Sequence, residues 1–527
     1  MTRRLGLAML SGALMALAFP FVLPSLSPTP LLDGAPRELL VLPGVAGLYV
    51  LTRAAIPLRQ RAGLLFVAGW AHFAMLLYWL DIAMVQFGKM PQWQALPVLF
   101  LLVSYCALYW ALLPALTQLF CHAVAWPAPV RFALAVVTLE WLRGQMFTGF
   151  PWGLWGYSQA RNLPLASFAS LGGVYLVSFL VALGGAMLAV ALRAPTKRRA
   201  TLRFVAVLAL THGVGWGLLT HNQREDTFGG HEQVALLQGS IPQRVKNRTA
   251  EYVEQIRTNY LELARQAVQR GATLLVWPEA AWPGFIRTHE LRLPDLALGV
   301  PSLMGAGAMR VTEGKPEIFN SAFWVHAQGE LVSRYDKRHL VPFGEYVPMR
   351  AILPVQKFVP GMIDFSPGHS AAPLGESAVG VLICYDGIFP EIARESIRAG
   401  ARWLVNLTND GWYGVSSAPY QHRDFYVLRA IETGRFVLRA ANNGISLAIT
   451  PAGEQRAATT LDTRTVSLAN VFLSDRQTPY VRLGDWGVAL ALGLLAVGLL
   501  NKLTPRALHV DKASAHSAKH PDSATST

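Results

Sequence analysis

The sequence predicts a polytopic α-helical membrane bundle of about eight spans that carries one α/β domain. The composition indicates a membrane protein, since 52% of the 527 residues are hydrophobic, only 15% are charged and the mean hydropathy is +0.33. Eight apolar stretches approach the length that crosses a bilayer. Before the last of them, short apolar runs alternate with helical patterns, which is typical of an α/β domain.

The predicted spans occupy residues 1–219, where seven helices form the bundle, and residues 483–503, which hold a final transmembrane helix. Their bounds are 5–24, 36–54, 63–84, 95–120, 129–143, 164–192, 201–219 and 484–502. The second and the fifth are short for a span. The N-terminal Met-Thr-Arg-Arg and the apolar run after it also match a signal peptide. Because further spans follow closely and no small-residue cleavage site precedes a soluble domain, we predict a retained first helix.

Basic residues predict the orientation of this bundle. If all eight spans are real, the basic clusters fall on one side of the membrane, which the positive-inside rule makes cytoplasmic. The clusters are Arg3 and Arg4; Arg53, Arg59 and Arg61; Arg193, Lys197, Arg198 and Arg199; and Lys502 and Arg506. Both termini are then cytoplasmic, and residues 220–482 lie on the opposite side.

The net charge of +14 lies mainly outside the predicted α/β domain, because residues 221–480 sum to about +1. Nucleic-acid binding requires a basic face on the globular part of a protein, so we exclude it. A basic excess beside apolar spans instead fits a protein that is oriented in a lipid bilayer.

Residues 220–482 are numerous enough for one sizeable α/β domain. The predicted strands are 233–238, 273–277, 303–308, 318–326, 331–335, 378–384, 403–407, 436–440 and 445–449. The predicted helices are 250–269, 390–399 and 421–433. Residues 504–527 have almost no apolar content, and we predict a disordered cytoplasmic tail there.

Two polar features of the membrane part require an explanation. Glu140 and Arg143 are three residues apart near the end of the fifth span, so they can pair on one helix face. The Gly- and aromatic-rich loop 148–157 follows them. It is either an interfacial aromatic belt or a lipid-facing lip beneath the α/β domain.

Cys384 is the candidate nucleophile. It ends the apolar run that begins at Ala378, and it is the only cysteine of the predicted α/β domain, since Cys106 and Cys121 lie in or beside a long apolar segment. Without a local disulfide partner, Cys384 is either a small buried hydrophobe or a nucleophile. Two other stretches of the sequence, 274–279 with Glu279 and 334–345 with Lys337, favour the interpretation of Cys384 as a nucleophile.

Glu279 and Lys337 are the groups that could assist a thiol. Glu279 ends the buried-type run that begins at Leu274, and its apolar neighbours raise a carboxylate pKa, which suits a general base. Lys337 could stabilise both a thiolate and the oxyanion of a tetrahedral intermediate. The alternatives are a surface carboxylate at a strand end and a solvated basic turn that includes Arg334 and Arg338.

Other catalytic patterns are missing from the sequence. No Gly-x-Ser-x-Gly elbow supports a Ser-His-Asp site, and no His-Glu-x-x-His spacing supports a metal site. No Gly-rich phosphate loop appears either. We therefore predict an enzyme without a metal or another cofactor.

These residues resemble a known family. Trp277-Pro-Glu279, Lys337 and Cys384 are similar to the Glu-Lys-Cys triad of the nitrilase, or carbon–nitrogen hydrolase, superfamily. An eight-span bundle with such a domain before the last span resembles the apolipoprotein N-acyltransferase family. The supporting strings are Thr148-Gly-Phe-Pro-Trp152, Gln238-Gly-Ser-Ile-Pro-Gln243, Tyr335-Asp-Lys337-Arg-His-Leu-Val-Pro-Phe-Gly-Glu345-Tyr-Val-Pro348 and Asn409-Asp-Gly-Trp-Tyr413.

The resemblance implies a nitrilase-like αββα sandwich in the periplasm, on a multi-pass protein of the bacterial inner membrane. It implies that Cys384 takes an acyl chain from a phospholipid, expected to be phosphatidylethanolamine, as a thioester. Glu279 would be the general base, and Lys337 with backbone amides would hold the oxyanion. The N-terminal α-amine of a diacylglyceryl-cysteine in an apolipoprotein would then receive the chain.

The resemblance also implies supporting roles for Glu345, Tyr385 and Asp386. Glu345 would orient Lys337 or its surroundings. The family usually has Glu two residues after the nucleophile, whereas this chain has Asp386, so any contact of the longer side chain must be re-made or lost.

Two other functions remain open from the sequence. One is a membrane-tethered nitrilase-type amidase, with water as the second nucleophile. The other is a transporter or sensor whose extracytoplasmic domain does not react. A transporter requires polar residues along its path, and only His72 and Glu140 are available in the predicted spans.

Overall fold

The computed structural model describes residues 1–224, 230–348 and 364–503. The predicted disordered tail, 504–527, lies outside the described residues. Within these described residues, ten α-helices lie outside the α/β domain, in the predicted membrane part of the chain. They are α1 Thr2–Leu17, α2 Val41–Thr52, α3 Leu58–Leu77, α4 Leu80–Ile82, α5 Gln92–Ala123, α6 Ala128–Gln145, α7 Leu163–Ala166, α8 Ala169–Arg193, α9 Lys197–Asn222 and, after the domain, α15 Trp486–Leu503.

Each of the eight predicted spans contains a helix, although the first span is helical only as far as Leu17. By length and hydropathy, four helices are candidate membrane spans, namely α5, α8, α9 and α15. A fifth candidate combines α3 with the segment Leu80–Phe87, which continues at an angle of 53° and ends in a π-helical turn. α1 and α2, with 16 and 12 residues, are shorter than the ~20 residues that a bilayer core requires.

The α/β domain contains two sheets. Its strands are β1 His231–Gln238, β2 Leu274–Val276, β3 Trp282–Arg287, β4 Ser302–Thr312, β5 Lys315–Val325, β6 Leu331–Asp336, β7 Val379–Ile383, β8 Trp403–Thr408, β9 Val437–Ala441, β10 Leu447–Ile449, β11 Gln455–Arg456 and β12 Thr465–Phe472. The first sheet has the order β12-β1-β2-β4-β5-β6, with β3 beside β4, and the second has the order β11-β10-β9-β8-β7. The central pairs β1–β2, β7–β8 and β8–β9 are parallel.

The two sheets pack face to face between two layers of helices. The domain helices are α10 Gln243–Lys246, α11 Thr249–Gln269, α12 Pro390–Arg398, α13 Ala418–Thr433 and α14 Pro479–Leu483. Apolar side chains of both sheets form the central core. α11 covers the outer face of the first sheet, while α12 and α13 cover the second sheet and continue into the core of the membrane part. The domain is therefore an α–β–β–α sandwich.

The predicted strands and helices of the domain are all present, with small shifts at their ends. Three strands were not predicted. β3 contains Pro283 and Gly284, and it pairs with β4 through an irregular register at the edge of the sheet. β11 consists of only two residues, and both are exposed. β12 joins the sheet through antiparallel pairing with β1, a long-range contact that local pattern does not reveal.

Two expectations about the loop after α6 are wrong. Among the described residues no ion pair joins Glu140 to Arg143. Instead, Glu140 Oε1 accepts from the Trp155 backbone N–H at 2.6 Å, and Arg143 donates to the carbonyls of Phe150 and Trp152. Each charged side chain therefore satisfies backbone groups of the loop that follows it.

The loop itself is neither an aromatic belt nor a lipid-facing lip. Residues 151–160 are buried, and Trp152 and Trp155 are only 2% and 1% exposed. The aromatic rings pack against α13 and the bundle helices. The exposed residues here are Gln145, Met146 and Phe147, just before the loop. The loop is thus the inner contact between the membrane part and the α/β domain.

α13 forms the other side of that contact and is buried along nearly its whole length. Its polar side chains satisfy groups of the membrane part. Gln421 Oε1 accepts from Trp152 Nε1 at 2.8 Å, and Glu432 Oε1 accepts from the Val174 backbone N–H at 2.8 Å. Arg429 donates to Glu432 at 2.9 Å and to the Tyr157 hydroxyl at 3.0 Å. These hydrogen bonds connect the α/β domain to the helical bundle.

We expect Arg429→Ala to destabilise the protein strongly, because it leaves the Glu432 carboxylate buried without its cation. Breaking a buried pair in this way costs about 3–5 kcal/mol. The matched control is Arg464→Ala, which breaks an ion pair whose side chains are 38% and 52% exposed and costs less than about 1 kcal/mol. Thermal unfolding in detergent measures both, and equal shifts of the two midpoints would contradict the prediction.

Candidate active site

The three predicted catalytic side chains all follow strand ends. Glu279 comes shortly after β2, Lys337 directly after β6 and Cys384 directly after β7. β2 and β6 lie in the first sheet and β7 lies in the second. Lys337 Nζ is 4.0 Å from Glu279 Oε1, and the charges of both groups act on the thiol of Cys384. The folded chain thus brings together residues that are 105 positions apart in sequence.

Glu279 is a buried carboxylate with a defined set of donors. Its Oε1 accepts from Asn320 Nδ2 at 2.8 Å, and its Oε2 accepts from the Asn409 backbone N–H at 3.0 Å. Burial raises the pKa of Glu279, the Lys337 ammonium lowers it, and the Glu345 carboxylate raises it; the net direction is upward. A carboxylate with a raised pKa can accept a proton near neutral pH.

Lys337 is a permanent cation of this site. It is 1% exposed, and its Nζ lies 3.0 Å from Glu345 Oε1 and 2.9 Å from Glu345 Oε2. Burial lowers the pKa of Lys337, but the carboxylates of Glu345 and Glu279 outweigh burial and raise it. The ammonium therefore keeps its proton and can stabilise an oxyanion.

Cys384 is poised as a protonated thiol. Burial and the charge of Glu279 raise its pKa, while Lys337 and a hydrogen bond with the Thr408 side chain lower it; the net direction is upward. Its backbone φ is +48°, in the left-handed region that a non-glycine residue adopts only when its surroundings hold it. A thiol in this state needs a base before it can act as a nucleophile, and the Glu279 carboxylate lies in the same charge cluster.

Glu345 holds Lys337 and the loop that follows it. Its Oε1 also accepts from Asn320 Nδ2 at 3.0 Å, and its Oε2 accepts from the Val341 backbone N–H at 2.8 Å. Asn320 consequently bridges the two carboxylates, Glu279 and Glu345. These contacts hold the Lys337 ammonium close to two carboxylates, those of Glu345 and Glu279.

Asp386 and Tyr385 lie beside the nucleophile but make different contacts. Asp386 Oδ1 accepts from the His339 backbone N–H at 2.7 Å, and its Oδ2 accepts from the Tyr335 hydroxyl at 2.8 Å and the Ile383 backbone N–H at 3.2 Å. The Asp386 side chain, which is shorter than the Glu usual in the family, thus connects the end of β7 to the segment around Lys337. The Tyr385 ring is directed toward the membrane part, where its hydroxyl lies 3.5 Å from the Gly149 carbonyl oxygen.

Sequence reasoning missed Asn320, Asn409 and Lys246. Lys246 Nζ donates to the Glu279 backbone carbonyl at 3.0 Å, and burial, partly offset by Glu279, lowers its pKa to about 8. The available signal for Asn320 was a polar side chain within the apolar run of β5. Asn409 acts through its backbone, which side-chain chemistry cannot indicate.

The membrane part reaches the candidate site. The Trp79 ring lies 4.9 Å from the ring of Tyr413, in the turn that follows Asn409. The Phe87 ring, at the end of the π-helical turn, lies 6.3 Å from Trp412. Aromatic side chains from the broken helix therefore pack against the loop that binds Glu279.

Family models match both parts of the chain. The model described as "Apolipoprotein N-acyltransferase N-terminal domain" matches residues 11–187, and the model described as "Carbon-nitrogen hydrolase" matches residues 233–478. The first match covers most of the membrane part. The second covers the two-sheet domain and contains Glu279, Lys337 and Cys384.

Curated relatives align over most of the chain. An apolipoprotein N-acyltransferase of Geobacter metallireducens is 38% identical over 495 residues, which are 91% of each chain. A protein of the same name from Chromobacterium violaceum is 35% identical over 444 residues, 80% of this chain and 82% of the relative. A third, from Nitrosomonas europaea, is 35% identical and covers 82% and 86% of the two chains. The chain therefore belongs to the apolipoprotein N-acyltransferase family, whose membrane part carries a nitrilase-like carbon–nitrogen hydrolase domain.

Proposed function

We propose that this protein transfers an acyl chain from a phospholipid to the N-terminal α-amine of diacylglyceryl-cysteine in apolipoproteins, through a thioester on Cys384. The observation that carries the proposal is the buried cluster of a carboxylate, an ammonium and a thiol at strand ends that pack against the membrane part. The names of the relatives give the acceptor class. Phosphatidylethanolamine is the donor that we expect.

In the first step, Cys384 Sγ attacks the ester carbonyl carbon of the phospholipid while Glu279 takes the thiol proton. The Sγ–C bond forms, and the carbonyl electron pair moves onto oxygen beside Lys337 and backbone N–H groups. The ester C–O bond then breaks. The proton passes from Glu279 to the leaving oxygen, which yields a lysophospholipid and the thioester.

In the second step, the free amine of the diacylglyceryl-cysteine attacks the thioester carbonyl carbon. Glu279 takes a proton from the attacking nitrogen, and Lys337 again faces the developing negative oxygen. The N–C bond forms, the C–S bond breaks and the proton returns to the Cys384 sulfur. The product is a triacylated N-terminus, and the enzyme is regenerated.

We further propose that the eight predicted spans insert in the inner membrane of a bacterium, with both termini in the cytoplasm and the α/β domain in the periplasm. The basic clusters support this orientation. Both substrates are lipid-anchored, so the site must lie close to the bilayer surface. The contacts of Trp79 with Tyr413 and of Tyr385 with Gly149 agree with that requirement.

The reaction is tested by incubating the purified protein with phosphatidylethanolamine, and intact-mass spectrometry should then find one acyl adduct. A chase with a diacylglyceryl-cysteine peptide should remove the adduct as the peptide gains one chain. An adduct that only water removes would favour the amidase-type alternative. With no adduct from active lipid, the proposal fails in favour of a binding or transport domain.

Cys384→Ala should abolish both the adduct and the transfer while the protein stays folded, because no other thiol lies in the site. Cys106→Ala is the matched control, since Cys106 is buried in α5 of the membrane part and should leave transfer unchanged. Intact mass and peptide acylation measure both variants. Near-normal transfer by Cys384→Ala would remove the nucleophile assignment.

Lys337→Ala should slow acylation of Cys384 by about two to three orders of magnitude, the typical loss when one oxyanion donor is removed. Lys315→Ala, which changes an exposed lysine at the start of β5, is the control and should have no effect. Single-turnover acylation by phosphatidylethanolamine measures the rate. A loss smaller than tenfold would reduce Lys337 to a structural charge.

Asn320→Ala should move the acidic limb of kcat/KM to higher pH. The wild-type rate falls as pH drops through the raised pKa of Glu279, because the protonated carboxyl cannot accept a proton. The Asn320 hydrogen bond stabilises the ionised form and lowers that pKa. Its removal should raise the pKa further, whereas Asn222→Ala, a buried asparagine in α9, should leave the profile unmoved. A shift toward lower pH for Asn320→Ala would contradict the mechanism.

A further inference from the structure

Four buried polar side chains form a connected group that reaches the backbone carbonyl of Cys384. The proposed acyl-transfer reaction uses none of them. They are Asp410, His422, Tyr426 and Arg439, each of which is 2% exposed or less. The Tyr426 hydroxyl donates to the Cys384 backbone carbonyl at 3.0 Å, and His422 Nε2 lies 3.2 Å from the Tyr426 oxygen. Arg439 Nη2 lies 3.1 Å from His422 Nδ1 and 2.6 Å from Asp410 Oδ2.

The direction of the bond at Cys384 is fixed, because a backbone carbonyl can only accept and the Tyr426 hydroxyl must donate. Burial and the charge of Arg439 lower the pKa of His422 despite the opposing effect of Asp410, so the imidazole is neutral. Its Nε2 contacts the Tyr426 hydroxyl, and its Nδ1 lies 3.1 Å from both Asp410 Oδ1 and Arg439 Nη2. The ion pair of Asp410 and Arg439 therefore fixes the ring that contacts Tyr426.

The result is one series of contacts that runs from the Arg439 guanidinium through His422 and Tyr426 to the Cys384 carbonyl. Asp410 balances the charge of Arg439 at the start of the series. Although burial opposes ionisation, Arg439 and a hydrogen bond from His422 lower the pKa of Asp410 to about 2.

This series of contacts ends at the backbone carbonyl of Cys384, which accepts the hydrogen bond from Tyr426 of α13. The φ of Cys384 is +48°, and such a conformation persists only where its surroundings hold it. The approach of Tyr426 depends on a glycine, because a Cβ on Gly387 would lie 2.1 Å from the Tyr426 hydroxyl. The Cys384 carbonyl shares a peptide plane with the Tyr385 N–H, so a bond to the carbonyl also sets the direction of that donor.

We propose that Arg439, His422 and Tyr426 are positioning residues, which hold the Cys384–Tyr385 peptide group in the orientation that acylation of the thiol requires. The inference rests on the proposed function, because it takes Cys384 as the nucleophile. None of the three side chains touches the substrate. Their effect is confined to the geometry of the peptide and leaves the charge cluster of Glu279 and Lys337 in place.

Tyr426→Phe removes the last donor and retains the ring. Acylation of Cys384 by phosphatidylethanolamine should slow by about tenfold to a hundredfold, the loss expected when reacting groups are misplaced by a fraction of an ångström to 1 Å. The apparent KM for the lipid should stay within about threefold, because no binding contact changes. Alkylation of the thiol by iodoacetamide should also change less than about threefold, since that reagent develops no oxyanion.

Tyr480→Phe is the matched control. Tyr480 is a fully buried tyrosine of α14 whose hydroxyl accepts from Arg394 at 3.4 Å, away from Cys384. It should lose a comparable amount of thermal stability and retain wild-type acylation. A second test combines Tyr426→Phe with His422→Leu. Because His422 acts through Tyr426, the double variant should acylate no more slowly than Tyr426→Phe alone, and this comparison holds even if each variant unfolds at a lower temperature.

Three outcomes would overturn the inference while leaving the proposed function intact. The first is acylation by Tyr426→Phe within threefold of Tyr480→Phe. The second is a double variant whose loss is the product of the single losses, which would mean that the residues act independently. The third is the equal loss of acylation and alkylation that is described below. Failure of the proposed function looks different, because the wild-type protein would then form no acyl adduct or Cys384→Ala would still transfer. Loss of acylation and alkylation in equal measure would show general disruption of the site and would also reject the positioning role.

Discussion

The burial of α13 between the second sheet and the membrane part is the constraint on which the rest of the structure depends. A helix that is covered on all sides has no water to satisfy its polar groups, so each must find a partner in the protein. Gln421 and Glu432 bind the membrane part, whereas His422 and Tyr426 face the nucleophile. One helix therefore joins the bundle to the site, and α13 makes the domain and the bundle a single mechanical unit.

The catalytic cluster shows how a low-dielectric interior can hold several charges at once. Lys337 Nζ lies 2.9 Å from Glu345 Oε2 and 4.0 Å from Glu279 Oε1, so one ammonium offsets the repulsion between two carboxylates. Burial raises the pKa of the Cys384 thiol beside them. The proposed acyl transfer depends on this arrangement of a thiol, a carboxylate and an ammonium.

Much of the candidate site was accessible from sequence because each main residue carries a chemical signature. A lone cysteine after an apolar run, a carboxylate after another and a lysine between them are visible without coordinates. Asn320 and the backbone of Asn409 were not found, since an asparagine in a strand and a peptide N–H have no such signature. The pairing of Glu140 with Arg143 was mispredicted for a related reason: helical spacing permitted it, but the backbone of the following loop competed for both charges.

The sequence by itself determined that an apolar helical part adjoins an α/β domain, and it determined the positions of most strands and the candidate base, cation and thiol. These features are local, since hydropathy, strand length and side-chain chemistry are read over a few residues. The tertiary structure alone decided that the loop around Trp152 is buried, that β12 pairs with β1 and that Tyr426 holds Cys384. These depend on contacts between segments far apart in the chain, where burial, and not local pattern, selects which polar groups must pair.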